Sequence, residues 1–335
     1  MISSMSNFLP KKAAVVVQTG QWVAVGSGSR TIATSPDGTT YTGQILNGGI
    51  DTIGYGVAYG NGLWVAVGSG ANTIATSTNG ITWIGKTANG GLNTQGFGVA
   101  YGKDGAGVGL WVVGGQGTYT IVTSTNGITW TGQTSGLNIS LRGVAYGTNG
   151  AGAGLWVAVG QGTTYKIVTS PNGTNWTGQA NGGINSNAFG VAYGKDGLGV
   201  GLWVAVGSGG NTIATSTNGT TWTGQTANGG LSTNGRGVAY GKDGLGVGLW
   251  VAVGAGTNTI ATSPDGITWT GLGTGIFTSG GYGVAYGKDG NGVGLWVAVG
   301  SGGNTIATSP NGTNWTGQTA NGGLNTNGYS VAFKP

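Results

Sequence analysis

GVAYGKDGLGVGLWVAVGAGTNTIATSPDGITWTG, residues 237–271, recurs in variant form along the whole chain. Its central segment is WVAVG, which occurs six times and once more as WVVGG. The seven copies are 42 to 47 residues apart and begin at Trp22, Trp64, Trp111, Trp156, Trp203, Trp250 and Trp296. A repeat of this period is typical of solenoids, propellers and other arrays.

Each repeat contains four short apolar runs, which in residues 237–271 are VAY, LWVAVG, TIATS and TWTG. These runs are rich in β-branched and aromatic residues and end at Gly, Asn, Asp or Ser, as strands do. No glycine-free window of helical length shows an apolar stripe of period 3.6. Four strands per 40 to 50 residues predict a propeller blade. We therefore predict an all-β, seven-bladed β-propeller with four antiparallel strands per blade.

The repeat boundaries predict an N-terminal leader at 1–13 and a single domain at 14–335. The blades are expected at about 14–43, 56–85, 98–132, 143–178, 190–224, 237–271 and 283–317.

Two segments compete for the innermost strand of the first blade, because a propeller must join its first blade to its last. Ala14–Val17 is a degenerate copy of the first run. Residues 330–333 resemble that run more closely and follow the seventh blade at the usual spacing. We predict that the C-terminal strand at 330–333 closes the ring, with Val15–Val17 as the alternative.

The composition limits the chemistry that the chain can perform. Charged residues make up only 6%, and the chain has no Glu, His or Cys. Thiol chemistry and zinc ligation therefore lack their usual residues. The basic residues are scattered, whereas a phosphate-tracking surface needs them clustered, so we expect no nucleic-acid binding.

The chain has no long apolar run and no apolar core of a Sec signal near its start, so we expect no membrane insertion. The compartment stays unknown from the sequence, and an extracellular surface or a virion is our hypothesis.

The element SPDGITW, residues 263–269, resembles the Asp-box or BNR repeat of sialidase-like and sortilin-like β-propellers. One residue fewer separates the acid from the glycine, and Asn replaces Asp in five of the seven copies. The resemblance implies a hairpin between the third and fourth strands of each blade. The WVAVG…TSPDGxTW pattern is also similar to repeats of uncharacterised bacterial, phage and large-DNA-virus proteins.

The sialidase resemblance would imply an arginine triad, a Tyr nucleophile with a Glu partner, and an acidic Asp. The chain has no Glu, and its three arginines are Arg30, Arg142 and Arg236. We therefore expect that the protein is not an enzyme. We also expect no cofactor and no metal. The aspartates of the long hairpin loops fit solvated turns better than calcium ligands, because each stands alone beside a lysine: Asp104, Asp196, Asp243 and Asp289.

The residue before each Gly-Val-Ala run varies, which singles it out as a candidate ligand site. If the first strand of each blade lines a central channel, these residues form a ring at its mouth: Tyr55, Phe97, Arg142, Phe189, Arg236, Tyr282 and Tyr329. Five aromatics and two arginines could bind a sugar or an extended peptide. The alternative is a cover over the end of each blade. For the repeated tryptophans, core packing is favoured over sugar stacking.

Our leading functional hypothesis is a structural or protein-interaction module in a surface, filament or virion assembly. Protein partners or self-assembly are then the expected contacts, and low charge with regular repeats motivates this view. The alternative is a multivalent carbohydrate-binding lectin, because near-identical blades could present equivalent weak glycan sites that gain from avidity.

Overall fold

The computed structural model describes residues 20–134 and 139–335. These residues form seven four-stranded antiparallel sheets, and the predicted seven-bladed β-propeller is confirmed. The expected leader at 1–13 and the alternative inner strand at Ala14–Val17 lie outside the described residues. The division into blades by residue range stays a prediction.

Each blade has four strands, named in their order across the sheet. Blade 1 contains β28 (Asn327–Lys334), β1 (Gln21–Ser27), β2 (Ile32–Ser35) and β3 (Thr42–Gly43). Blade 2 contains β4 (Ile53–Gly60), β5 (Leu63–Ser69), β6 (Ile74–Ser77) and β7 (Ile84–Gly85). Blade 3 contains β8 (Gln95–Lys103), β9 (Gly109–Gln116), β10 (Ile121–Ser124) and β11 (Thr131–Gly132). Blade 4 contains β12 (Ile139–Thr148), β13 (Gly154–Gly162), β14 (Ile167–Ser170) and β15 (Thr177–Gln179).

The remaining three blades follow the same order. Blade 5 contains β16 (Asn187–Lys195), β17 (Gly201–Ser208), β18 (Ile213–Ser216) and β19 (Thr223–Gln225). Blade 6 contains β20 (Asn234–Lys242), β21 (Gly248–Ala255), β22 (Ile260–Ser263) and β23 (Thr270–Gly271). Blade 7 contains β24 (Gly280–Lys288), β25 (Gly294–Ser301), β26 (Ile306–Ser309) and β27 (Thr316–Gly317).

The first strands of the blades touch one another in a closed circle. Strand β4 contacts β8, each following first strand contacts the next one, and β28 contacts both β24 and β4. A strand that has first-strand neighbours on both sides must lie at the centre of the ring. The first strands therefore line the central channel.

The C-terminal strand closes the ring, as predicted. Strand β28 pairs antiparallel with β1, with Phe333 opposite Trp22 and Ser330 opposite Val25. This pairing covers the edge of β1, which would otherwise present unpaired backbone groups to solvent.

The hydrophobic core lies between the blades. Trp203 of blade 5 is fully buried and packs with Leu155 and Val157 of blade 4. Its indole Nε1 also donates a hydrogen bond, 2.9 Å long, to the carbonyl of Thr148. All seven tryptophans of the WVAVG and WVVGG segments are buried. Removing one such side chain from a core costs about 3–5 kcal/mol, so these residues hold neighbouring blades together.

The turn between the third and fourth strands is built by its own side chains. Ser263 Oγ accepts the N–H of Gly266, and Asp265 Oδ1 accepts the N–H groups of Ile267 and Thr268 at 2.8 and 2.9 Å. Gly266 has a φ of +75°, which glycine adopts without strain. Asn218 makes the same contacts in its own blade, so Asp and Asn serve this turn alike.

Candidate functional site

A β-bulge places the candidate residue of every blade. In blade 2, Gly54 pairs with Gly68 and Gly56 pairs with Val67, so Tyr55 is an extra residue between two ladder positions. The same register shift occurs in all seven first strands. The inserted residues, which we call the mouth ring, are Tyr55, Phe97, Arg142, Phe189, Arg236, Tyr282 and Tyr329. A bulge bends the strand and redirects one side chain, in this case at one end of the channel.

Glycines after the mouth ring bring the inner strands close together. A Cβ on Gly237 would lie 2.6 Å from the carbonyl oxygen of Tyr282 in the next blade. The corresponding residue is glycine in six blades and Ser330 in blade 1. Because larger residues would force the strands apart, these glycines narrow the channel and let seven side chains converge.

All seven residues of the mouth ring line one shared cavity of about 370 Å³. A second cavity of about 180 Å³ continues along the channel past the glycines and valines that follow the mouth ring. The lining of the first cavity contains five aromatic rings, two guanidinium groups and no carboxylate. The structure thus brings together all seven residues singled out in the sequence, and their role in ligand binding stays a prediction.

Six members of the mouth ring contact one another in series. The ring centroid of Tyr55 lies 5.1 Å from that of Phe97 and 5.3 Å from that of Tyr329. Tyr329 in turn lies 5.0 Å from Tyr282. The guanidinium of Arg142 sits 4.4 Å over Phe97, and that of Arg236 sits 4.3 Å over Tyr282. Such stacking holds side chains in place before any ligand arrives.

Polar neighbours orient the two arginines. Arg142 Nη2 donates to Gln161 Oε1 at 2.7 Å, and Arg236 Nε donates to Asn234 Oδ1 at 2.9 Å. Neither partner was singled out from the sequence. The sequence gives no clear signal for Gln161, because blade 3 carries Gln116 at the equivalent position beside Phe97, while blades 1, 2, 5 and 7 carry Ser.

Burial shifts the ionisation of the mouth ring. Burial raises the pKa of Tyr55, and the nearby Arg142 partly offsets this. Burial likewise raises the pKa of Tyr329. Burial lowers the pKa of Arg142, yet an arginine remains charged at neutral pH. At neutral pH Tyr55 and Tyr329 are therefore uncharged and lie in the same pocket as the positively charged Arg142.

The charged residues are divided unequally between the two faces of the ring. We call the face with the mouth ring the mouth face, and the face with the turns between first and second strands the hairpin face. On the mouth face lie one aspartate, Asp51, and five basic residues, namely Arg30, Lys86, Arg142, Lys166 and Arg236. On the hairpin face lie five lysines and six aspartates, namely Lys103, Lys195, Lys242, Lys288 and Lys334 with Asp37, Asp104, Asp196, Asp243, Asp265 and Asp289. Among the charged residues that the structure describes, the basic excess therefore lies on the mouth face, while Lys11 and Lys12 fall outside the described ranges.

The aspartates of the long hairpin loops serve the loops themselves. Asp104 Oδ1 accepts the N–H groups of Ala106 and Val108 at 2.8 and 2.9 Å, and Asp196, Asp243 and Asp289 repeat the pattern. Within the described ranges no three potential metal-ligating side chains cluster.

The tryptophans do not offer sugar-stacking faces. The WVAVG and WVVGG tryptophans are buried between blades. The aromatic residues of the Ser-x-Asp/Asn-Gly turns are also buried, apart from the half-buried Trp315.

Several solved structures share the fold. The computationally designed Ika8 protein matches at a TM-score of 0.55 with 14% identity, covering 93% of this chain and 91% of that one. YCF48 bound to D1 peptide matches at 0.53 with 15% identity, covering 93% and 88%. An ancestral GH74 enzyme matches at 0.51 with 18% identity over 87% of this chain. The chain spans only 38% and 39% of the length of the GH74 structures it matches. No protein-family model and no curated protein matches the chain, so the Asp-box resemblance is not confirmed.

The expectation that the protein is not an enzyme is contradicted by these comparisons. A GH74 enzyme is among the structures with this fold, so the propeller architecture gives no ground for excluding catalysis. A likeness at 18% identity shows the fold alone and assigns no reaction to this chain. The propellers that match have mixed roles.

Among the elements of the described ranges, no helix has the length and apolar character to cross a membrane.

Proposed function

We propose that the protein is an interaction module that binds an extended segment of a partner protein at the mouth ring. The observation that carries this proposal is the shared cavity of about 370 Å³ at one end of the channel, lined by five aromatics and two arginines. Aromatic residues and arginine are the side chains that contribute most to protein–protein contacts. The contacts within the ring also reduce the entropy that would be lost on binding.

The shape of the site favours a narrow ligand. Seven bulges meet around one channel, so a chain end or an extended strand can enter where a folded domain cannot. YCF48, a propeller of comparable fold, was solved with a D1 peptide, which supports a peptide as the kind of ligand that this architecture accommodates.

The lectin alternative receives less support from the geometry. Multivalent glycan binding requires equivalent sites on separate blades, whereas the mouth side chains form one pocket and the repeated tryptophans are almost all buried. Two hypotheses remain: that the chain belongs to the Asp-box family, and that it is part of a surface, filament or virion assembly. The turns that are held by their own Ser and Asp or Asn side chains support the Asp-box hypothesis.

Selection from a displayed library of random 12-residue peptides tests the proposal. We expect peptides that bind the intact protein with micromolar affinity and lose about tenfold or more in affinity for the Tyr55→Ala/Tyr329→Ala variant, because truncation of central aromatics costs more than about 1 kcal/mol each.

The matched control is Tyr119→Ala/Tyr165→Ala, which removes two partly exposed tyrosines from loops of the same face outside the mouth ring. Selected peptides should bind this variant normally. Peptides that bind both double variants equally would contradict the proposal. If no peptide is selected and the protein binds instead to immobilised glycans on an array, the lectin is favoured.

A further inference from the structure

The mouth ring is interrupted at Phe189. The series of contacts runs from Arg236 through three tyrosines and Phe97 to Arg142, and within the described residues no ring or cation contact is made by Phe189. The two arginines next to Phe189 in the mouth ring both stack on the aromatic side chain that lies away from Phe189. Arg142 stacks on Phe97, and Arg236 stacks on Tyr282. Phe189, which is half-buried, therefore lines the cavity without a stacking partner, and Arg142 and Arg236 are its neighbours on either side in the mouth ring.

Both guanidinium groups keep hydrogen-bonding capacity. A guanidinium carries five N–H donors, and in the described structure one is used by Arg142 and one by Arg236. The Nε of Arg142 is buried without a partner. No carboxylate lines the cavity to neutralise the two charges. The donors that a ligand in the cavity can reach are therefore those of the guanidinium groups that face it, and not the Nε of Arg142.

The arrangement selects against other ligand classes. A cationic group would be attracted by bare aromatic faces, but two of those rings are already covered by arginine. A neutral apolar group could fill the space over Phe189 and would leave both positive charges without a counter-charge. A carboxylate on an apolar stem satisfies both features, because arginine binds carboxylates through paired hydrogen bonds.

We propose that the gap at Phe189 is a carboxylate subsite, in which a carboxylate of the bound segment accepts hydrogen bonds from Arg142 and Arg236 while its stem packs on Phe189. This inference rests on the proposed function, since it names the group of the partner segment that the mouth ring selects. The carboxylate belongs either to an acidic side chain or to a chain end.

A pair of small probes tests the subsite without any peptide. 3-Phenylpropionate and its neutral amide have the same stem and differ in the charged group. We expect the carboxylate to bind about tenfold more tightly in a titration followed by NMR, because charge-assisted hydrogen bonds are the stronger ones. The difference should vanish in Arg142→Gln/Arg236→Gln and persist in Arg30→Gln, which removes a charge from the same face outside the cavity. Equal binding of the two probes to the unaltered protein overturns the inference, and so does tighter binding of inorganic phosphate than of phenylpropionate.

Peptides from the library separate the two sources of the carboxylate. Amidation of the C-terminus weakens binding if the chain end occupies the subsite, and Glu→Gln or Asp→Asn within the peptide weakens it if a side chain does. Peptides that bind at the mouth ring but tolerate all of these changes overturn the inference and leave the proposed function standing. If no peptide binds but phenylpropionate is preferred over its amide, the proposed function fails, and the gap at Phe189 binds small carboxylates but not a partner segment.

Discussion

Single inserted residues set the chemistry of the channel mouth. Each mouth side chain is an extra residue in a strand, and the glycine that follows it in six blades allows the next blade to approach. The character of the site therefore depends on seven residues that the blade can change without disturbing its ladder. This explains how Arg142 and Arg236 can replace aromatics in two blades while the surrounding GVAYG is kept.

At the same scale, the two turns that carry Asp should stabilise the fold less in acid, whereas the five turns that carry Asn should be unaffected by pH. Partial burial acts to raise the pKa values of Asp37 and Asp265, but backbone N–H groups and a serine hydroxyl outweigh it and hold both pKa values below the ordinary range. Depressed carboxyl pKa values stabilise the fold above the unfolded pKa of about 3.9, and the contribution is lost as the pH falls through the folded values. We expect Asp37→Asn/Asp265→Asn to lose this part of the pH dependence, measured by urea unfolding between pH 2 and 6.

The opposite substitution provides the control for the turns. The Asn218→Asp variant should gain a contribution to its free energy of unfolding that is lost in the same pH window, because Asn218 accepts the equivalent N–H groups in its own turn. If neither variant changes the slope of stability against pH below pH 4, the turn carboxylates do not have depressed pKa values.

At the scale of elements, the closing strand β28 completes both the fold and the site. It covers the edge of β1, packs Phe333 on Trp22 with ring centroids 4.8 Å apart, and contributes Tyr329 to the mouth ring. The first and last blades are therefore joined by backbone pairing as well as by their interface.

Removal of residues 327–335 should open the ring. We expect a loss of at least about 3–5 kcal/mol in the free energy of unfolding, because buried aromatic packing is lost with the strand. We also expect concentration-dependent association through the exposed edge of β1. Thermal unfolding and size-exclusion chromatography measure both effects, and a synthetic peptide of residues 327–335 should restore the melting temperature.

A chain lacking only Pro335 is the control for this truncation, since Pro335 follows the end of β28. It should unfold like the full chain. A truncated chain that retains the cooperative melt of the full chain would show that β28 is dispensable for closure.

At the scale of the whole molecule, the ring has an electrostatic polarity. Counted over residues 20–134 and 139–335, the mouth face has an excess of basic residues, while aspartates slightly outnumber lysines on the hairpin face. A field of this kind steers anionic ligands toward one end of the channel and weakens with salt.

The association rate of an acidic peptide should therefore depend on the basic residues of the mouth face and hardly on those of the hairpin face. We expect the association rate to fall about tenfold between 50 and 500 mM salt, and to fall further when Arg30→Gln and Lys86→Gln are combined. The control Lys103→Gln/Lys195→Gln removes the same charge from the hairpin face and should leave the rate nearly unchanged. Stopped-flow measurements that show equal effects for both pairs would exclude steering by the mouth face.

The sequence by itself determined the strands, the turns and the number of blades, because short β-branched runs and Asp-Gly or Asn-Gly turns are local patterns that repeat seven times. It also singled out the seven mouth residues, since they vary where their neighbours do not. The tertiary structure decided which end segment pairs with β1 and that the mouth residues are bulges. It also decided that Arg142 and Arg236 lean away from Phe189, and that the basic excess lies on one face. These features depend on pairings between residues up to about 300 positions apart, such as Ser27 with Asn327, and on the spacing that ring closure imposes on the inner strands. No local pattern in the chain encodes those distances.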